Sequence, residues 1–163
     1  MSADDWTSRV QALWDEFDSL EPDVFVSRMR ALVSERPEDD AIALFELAGA
    51  YDSTGDEARA ATTYERVFAV GPPEAIRRSL TIQYASTLRN LGRATEAVAH
   101  LERERERTSD VLDDAVTVFL AFALVDAGAP VRAVGELSAA LGTGLPQYRR
   151  SVSEYARELR QRD

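Results

Sequence analysis

One short phrase recurs along the chain and restricts its fold more than any other feature. It is clearest at Leu47-Ala48…Tyr51…Gly55…Ala60…Tyr64. It returns as Tyr84-Ala85…Leu88…Gly92…Ala97…Leu101, and again as Leu120-Ala121…Leu124…Gly128…Ala133…Leu137. Relative to the glycine, each copy has a large residue eight before, a small one seven before and a large one four before. Ala follows five after and a large residue nine after; the glycines are 37 and then 36 residues apart. A fixed period of roughly 20–50 residues marks a repeat architecture, whose units cannot bury their apolar faces alone and must stack.

The segments between these landmarks read as helices, and no convincing strand appears. Residues 4–20 form a first helix, with Trp6, Val10, Leu13, Trp14 and Phe17 on the 3.6-residue period and Asp4 and Asp5 near its N-terminal dipole. Glu21-Pro22 restarts the chain, and Val24, Phe25, Arg28, Met29, Leu32 and Val33 continue a second helix that closes before Pro37. This pair, 5–37, lacks the Gly and Ala signature and reads as a divergent first repeat. Clear units then span 38–72, with helices over 38–53 and 56–70 and Asp56 as cap, and 73–109, with helices near 73–91 and 94–107. A third spans 110–144, with helices near 110–127 and 130–141, Ser109 or Asp110 as cap and Pro130 at the second start. A last helix near 146–161 carries Tyr148, Val152, Tyr155 and Leu159 on one face. Arg149, Arg150, Glu154, Arg157, Glu158 and Arg160 occupy the other, as a terminal cap over 145–162 requires. The expectation is one helical-repeat domain over 1–163.

The small members of the phrase set the geometry. Ala48, Ala85 and Ala121 fall on the first helix of each unit, and Ala60, Ala97 and Ala133 on the second, so paired helices can approach to the close end of the usual spacing, roughly 8–10 Å. Gly55, Gly92 and Gly128 let the backbone reverse through positive φ. On these positions the chain resembles the tetratricopeptide repeat family, arrays of helix–turn–helix units of about 34 residues. The resemblance covers about 41–141, and loosely 5–37, with Pro72 and Pro146 near the expected closing proline. It implies an all-α fold: a right-handed superhelix of stacked antiparallel helix pairs with a C-terminal capping helix. In departure from the family, its first-helix Trp is replaced by Leu44, Thr81 and Thr117. Glu104 stands at a second-helix site normally small, where Val67 and Ala140 are its equivalents, which predicts a tilted or frayed rear helix in the second unit. More narrowly, the chain is similar to small stand-alone bacterial members, some of which are thought to dimerise.

Little in the sequence points to catalysis. Cys is absent, and all 19 cations are Arg, which excludes thiolate nucleophiles, disulfides, lysine Schiff bases and the lysine of a phosphate loop. A net charge of −10 argues against nucleic acid or an anionic membrane as partner. No run of about 18 apolar residues could span a bilayer. The start, Met1-Ser2-Ala3-Asp4-Asp5, does not read as a signal peptide, so a cytoplasmic location is expected. His100, the one histidine, lies mid-helix between Ala99 and Leu101, where its neighbours Glu96 and Glu104 read as solvated surface rather than as orienting carboxylates. The acidic pairs Asp4-Asp5, Asp39-Asp40 and Asp113-Asp114 sit at expected helix starts and read as caps rather than metal ligands. The alternating run from Leu101 to Arg107 reads as a solvated face in which Glu102 with Arg105, and Glu104 with Arg107, are spaced for weak i to i+3 pairs. Neither cofactor nor metal is expected, and the chain is expected not to be an enzyme.

The resemblance implies instead a groove lined by first-helix residues at fixed offsets before the glycine. By offset these are Ile42, Phe45, Gly49 and Asp52 in the first clear unit and Ser79, Ile82, Ser86, Arg89 and Asn90 in the second. The third contributes Ala115, Val118, Phe122 and Val125. The polar group Gln83, Arg89 and Asn90 could pair with a peptide backbone or carboxylate, although the basic and Asn positions of chaperone-tail-binding members are not reproduced. An empty groove should leave Phe45, Ile82, Val118 and Phe122 partly exposed, whereas the last helix could instead cover them. The expected function is binding of a protein or peptide, a second copy of the chain included. A structural homodimer, and a ligand-binding regulator or enzyme with an internal pocket, are the alternatives.

Overall fold

The computed structural model describes residues 3–107 and 110–162, with side chains from Asp5 onward; the candidate cap Ser109 and the side chain of Asp4 lie outside the described residues. Among the described residues the chain is all-helical, with nine α-helices and no strand. They are α1 (Ala3–Asp15), α2 (Pro22–Val33), α3 (Ala41–Ser53), α4 (Glu57–Val70), α5 (Glu74–Asn90), α6 (Ala94–Arg107), α7 (Asp113–Asp126), α8 (Pro130–Gly142) and α9 (Arg149–Arg160). Neighbours in sequence pack on one another, α1 on α2, α2 on α3, α3 on α4, and likewise from α6 through α9, as in a tetratricopeptide-like helical solenoid. Two compact units, 1–80 and 81–163, divide inside α5. The period of the sequence places its own boundary at 72/73.

In the first unit Trp6, Val10, Leu13, Phe25, Met29, Ala43 and Ala50 form the core, so the divergent pair α1–α2 is sealed onto α3. The indole N–H groups that this burial would orphan are satisfied: Trp6 Nε1 donates to Leu32 O at 2.8 Å and Trp14 Nε1 to Glu46 at 2.7 Å. The expected helix 4–20 stops at Asp15 and continues as a 3-10 turn over Phe17–Ser19. Acidic residues 15, 16 and 18 oppose the C-terminal dipole there, and the tighter turn presents Phe17 edge-on to Phe25, 4.8 Å away.

The phrase behaves as its geometry demands. All six of its alanines (48, 60, 85, 97, 121 and 133) are at most 2% exposed. Gly55, Gly92 and Gly128 have φ of 81°, 74° and 85°, in the left-handed region where a Cβ is strained. Asp40 caps α3, accepting from the N–H groups of Ile42 and Ala43 at 3.0 Å each, and Asp56 caps α4 through Arg59 N at 3.0 Å. Asp110 works one turn earlier than expected: it accepts from Leu112 N at 2.7 Å, and α7 starts after Leu112 without a side-chain cap.

Three expectations are corrected or narrowed in the second unit. The helix α6 runs without a break through Glu104, which is 4% exposed and accepts from the Thr81 hydroxyl at 3.4 Å, with Arg107 3.8 Å away. The charged run is therefore a solvated face only in part: Arg103, Arg105, Glu106 and Arg107 are exposed, Glu102 is half-buried and Glu104 is buried. Arg105 pairs with buried Glu136 of α8 at 2.9 Å, and Glu102 pairs with Arg132 of α8 rather than with Arg105. The last helix also turns differently. Tyr148 takes φ 67°, α9 begins at Arg149, and Tyr148 and Tyr155 are exposed while Ala156 is fully buried. The close approach is on α8: a Cβ at Gly135 would lie 2.9 Å from Arg160 N and 3.0 Å from Ala156 O, and one at Gly142 would lie 3.0 Å from Val152 Cγ1, so this side of α9 is the one that packs.

Candidate functional site

The offsets implied for a groove fall on exposed faces in part. In the first unit Ile42 is exposed, Phe45 and Asp52 are half-buried, and Gly49 is buried inside α3. Phe45 lies against Tyr64, ring centroids 6.4 Å apart. Burial, reinforced by the carboxylates of Asp52, Glu46 and Glu57, pushes the Tyr64 hydroxyl far above its ordinary range, so it remains a neutral phenol at any physiological pH.

Glu46 on the same helix is a half-buried carboxyl. Burial raises its pKa above the ordinary value and the Trp14 N–H it accepts pulls it partly back. Because the folded pKa is raised, the native state binds more protons than the unfolded chain just above pH ~4.5, so this group's share of stability grows as pH falls through its folded pKa. Asp40 and Asp56 act oppositely. For Asp56 the Arg59 side chain is the main cause of a lowered pKa; for Asp40 the amides of Ala43 and Ile42 with Arg36 outweigh burial. Their contribution is present above pH ~3.8 and is lost below it as they protonate. Glu46→Gln keeps an acceptor for Trp14 and removes the half-buried charge. Thermal melts should then show a higher Tm at pH 7 and a smaller gain on acidification toward pH ~4.5 than the wild type.

In the second unit, Val118, Phe122 and Val125 follow one another at i, i+4 and i+7 along α7, and all three are exposed, Phe122 at 46% and Val125 at 51%. Ala115 continues this face at half-burial. Arg89 of α5 is held beside it from two directions: its Nε donates to Asp126 at 2.7 Å, and its guanidinium carbon lies 5.2 Å from the centroid of the Phe122 ring. Phe119 meets Phe122 edge-on at 6.0 Å, which fixes the ring under the arginine. Asn90 is exposed, and Ser79, Gln83 and Ser86 are half-buried. Ile82 departs from expectation. It is only 7% exposed and belongs to the core. Asp126 and Phe119 were not singled out in the sequence; their signal was the offset of Asp126, two before Gly128, opposite an arginine three before Gly92.

The final helix does not cover this face. It packs on α8, where Gly142 meets Val152 and Gly135 meets the backbone of Ala156 and Arg160. His100, the sequence's candidate for acid–base work, lies edge-on to Tyr84 at 5.1 Å. Burial lowers its pKa, Arg103 and Arg93 add to this, and Glu96 opposes. This favours the neutral ring of a half-buried histidine packed against an aromatic side chain. Two clefts of about 550 Å³ lie in the first unit, and His100 lines neither. Among the described residues no three His, Asp or Glu side chains gather as a metal site, and no helix is long and apolar enough to cross a membrane.

A comparison with curated proteins found no match. A family model described as Tetratrico peptide repeat matches residues 41–159, which includes nearly all of the three phrase-bearing units and of α9. Such repeats generally serve as non-catalytic protein–protein interaction modules. The matching model, the phrase alanines buried as a set and the all-helical packing agree: the chain belongs to the tetratricopeptide repeat family.

Proposed function

We propose that the α7 face of Val118, Phe122 and Val125, together with Arg89 and Asn90 of α5, binds a segment of another polypeptide without catalysing a reaction. One observation carries the reading. Three large apolar side chains stay exposed in line on a helix that the chain's own last helix leaves open, and an arginine is already immobilised beside them. Apolar residues in a row supply anchoring area, and a preorganised guanidinium can engage a backbone carbonyl or carboxylate with little further loss of side-chain entropy. Ile42, Phe45 and Asp52 of the first unit belong to the same reading residue by residue, as a separate polar–apolar patch. A bacterial, cytoplasmic setting goes with it.

The test begins with a displayed peptide library panned on the wild-type chain, the selected peptides then being titrated. Phe122→Asp should weaken them by about 10–100-fold with helicity unchanged, since a buried aromatic anchor typically contributes most of such an interface. Light scattering at micromolar concentration separates the occupants. A wild-type dimer that Phe122→Asp converts to monomer identifies the partner as a second copy, and the same experiment on Phe45→Asp asks this of the first-unit patch. Unchanged peptide affinity in Phe122→Asp would remove the α7 face from consideration.

A further inference from the structure

A second cleft of the first unit has the opposite electrostatic character to the chain that carries it. It has a volume of about 550 Å³ and is lined by Arg30, Val33, Ser34, Arg36, Pro37, Glu38, Leu44, Leu47 and Arg66. Three arginines against one glutamate line it, in a protein of net charge −10. The arginines differ in how far their charge is already used. Arg36 is not available, because it pairs with the α3 cap Asp40 at 2.6 Å and stacks on Trp6 at 5.3 Å. Arg66 donates to a neutral group, the Glu38 carbonyl at 3.3 Å, which orients the guanidinium without neutralising it. Arg30 is exposed on the last turn of α2. Below these charges the wall is aliphatic, made of Val33, Leu44 and Leu47.

We infer that this cleft binds an acidic polypeptide segment, with carboxylates on Arg30 and Arg66 and one aliphatic side chain on Val33 and Leu47. Both halves of the wall are needed for that choice. A bare anion would use the rim and leave the apolar wall wet, whereas an uncharged apolar group would strand two guanidinium groups. A carboxylate beside a leucine-like side chain satisfies both, through two-pronged guanidinium–carboxylate bonds and apolar burial. At physiological ionic strength charges more than about 8 Å apart are largely screened, so the local arginines outweigh the negative field of the whole chain. The inference is independent of the α7 reading, since it uses other residues in the other compact unit.

The full chain, ¹⁵N-labelled, would be titrated with an acetylated and amidated peptide of sequence EELLE, and in parallel with QQLLQ, KKLLK and octanoate. EELLE should shift amide resonances within 30–38 and 44–47 and at Arg66, and QQLLQ and KKLLK should bind at least about tenfold more weakly. The double substitution Arg30→Gln, Arg66→Gln should weaken EELLE by about tenfold or more with an unchanged far-UV circular dichroism spectrum. Arg30→Glu alone, at an exposed helical position, should act in the same direction. The inference is overturned if EELLE fails to bind at millimolar concentration, if QQLLQ or KKLLK matches it, or if the arginine variants bind it normally. Octanoate binding as tightly as the peptide would also overturn it, by making the ligand a free amphiphile. Shifts confined to α7 would reject this cleft and support the α7 reading instead.

Discussion

Phe25→Ala should cost about 3–5 kcal/mol, the usual range for emptying a fully buried phenylalanine site. The side chain is completely buried, its ring 4.9 Å from Trp14 and 4.8 Å from Phe17. Removal deletes two aromatic contacts and opens a cavity between α1, the 3-10 turn and α2. The readout is specific, because the chain has 2 tryptophans, Trp6 and Trp14, and both lie on α1. The denaturant midpoint followed by tryptophan fluorescence should fall sharply. A midpoint that stayed in place would mean that α1 and α2 are not held by this aromatic cluster.

Gly135→Ala is expected to destabilise the second unit by up to about 2 kcal/mol, although the same change on an open helix would stabilise it. The helix-propensity gain is close to 1 kcal/mol, and overpacking a close contact costs about 1–3 kcal/mol. The contact decides the sign. A Cβ at this position would lie 2.9 Å from Arg160 N, 2.9 Å from Arg160 Cγ and 3.0 Å from Ala156 O, and two of these are backbone atoms that can give way only if α9 moves. Gly142→Ala is the informative comparison. Its Cβ meets a side-chain atom, Val152 Cγ1, at 3.0 Å, which a small rotation relieves, so its loss should be smaller. Melts followed by circular dichroism should rank the two in that order. A Gly135→Ala protein as stable as the wild type would show that α9 is not seated as described.

The chain's helices were largely legible because their signals are local. Asp40, Asp56, Pro22 and Pro130 stand at or beside helix starts, and three glycines with positive φ close the turns within units. What failed was nearly always a question of rotation about a helix axis. Tyr155 was expected inward and Ala156 is the residue buried, a difference of one position, or about 100°. Ile82 has the offset of a groove residue and lies in the core. Glu104 and Arg105 belong to an alternating charge run that looks exposed, yet Glu104 is buried and Arg105 reaches across to Glu136. Gly135 was a signal that could have been read, since a glycine in the interior of a helix needs a reason and here the reason is the backbone of α9.

The sequence by itself determined the repeat and the helices that carry it, along with the alanines at which those helices approach. These follow from periodicity, steric size and turn chemistry, all of which act over a few residues. It also placed Val118, Phe122 and Val125 on one line of one helix. Only the tertiary structure decided that this line stays open, because exposure depends on where α9 docks, and it docks against Gly135 and Gly142 on α8. It likewise brought Arg89 to Asp126 and Phe122, and Arg30 and Arg66 to one cleft, residues 33 to 37 apart in sequence. Contacts over such separations depend on how helices pack, and no local rule encodes them.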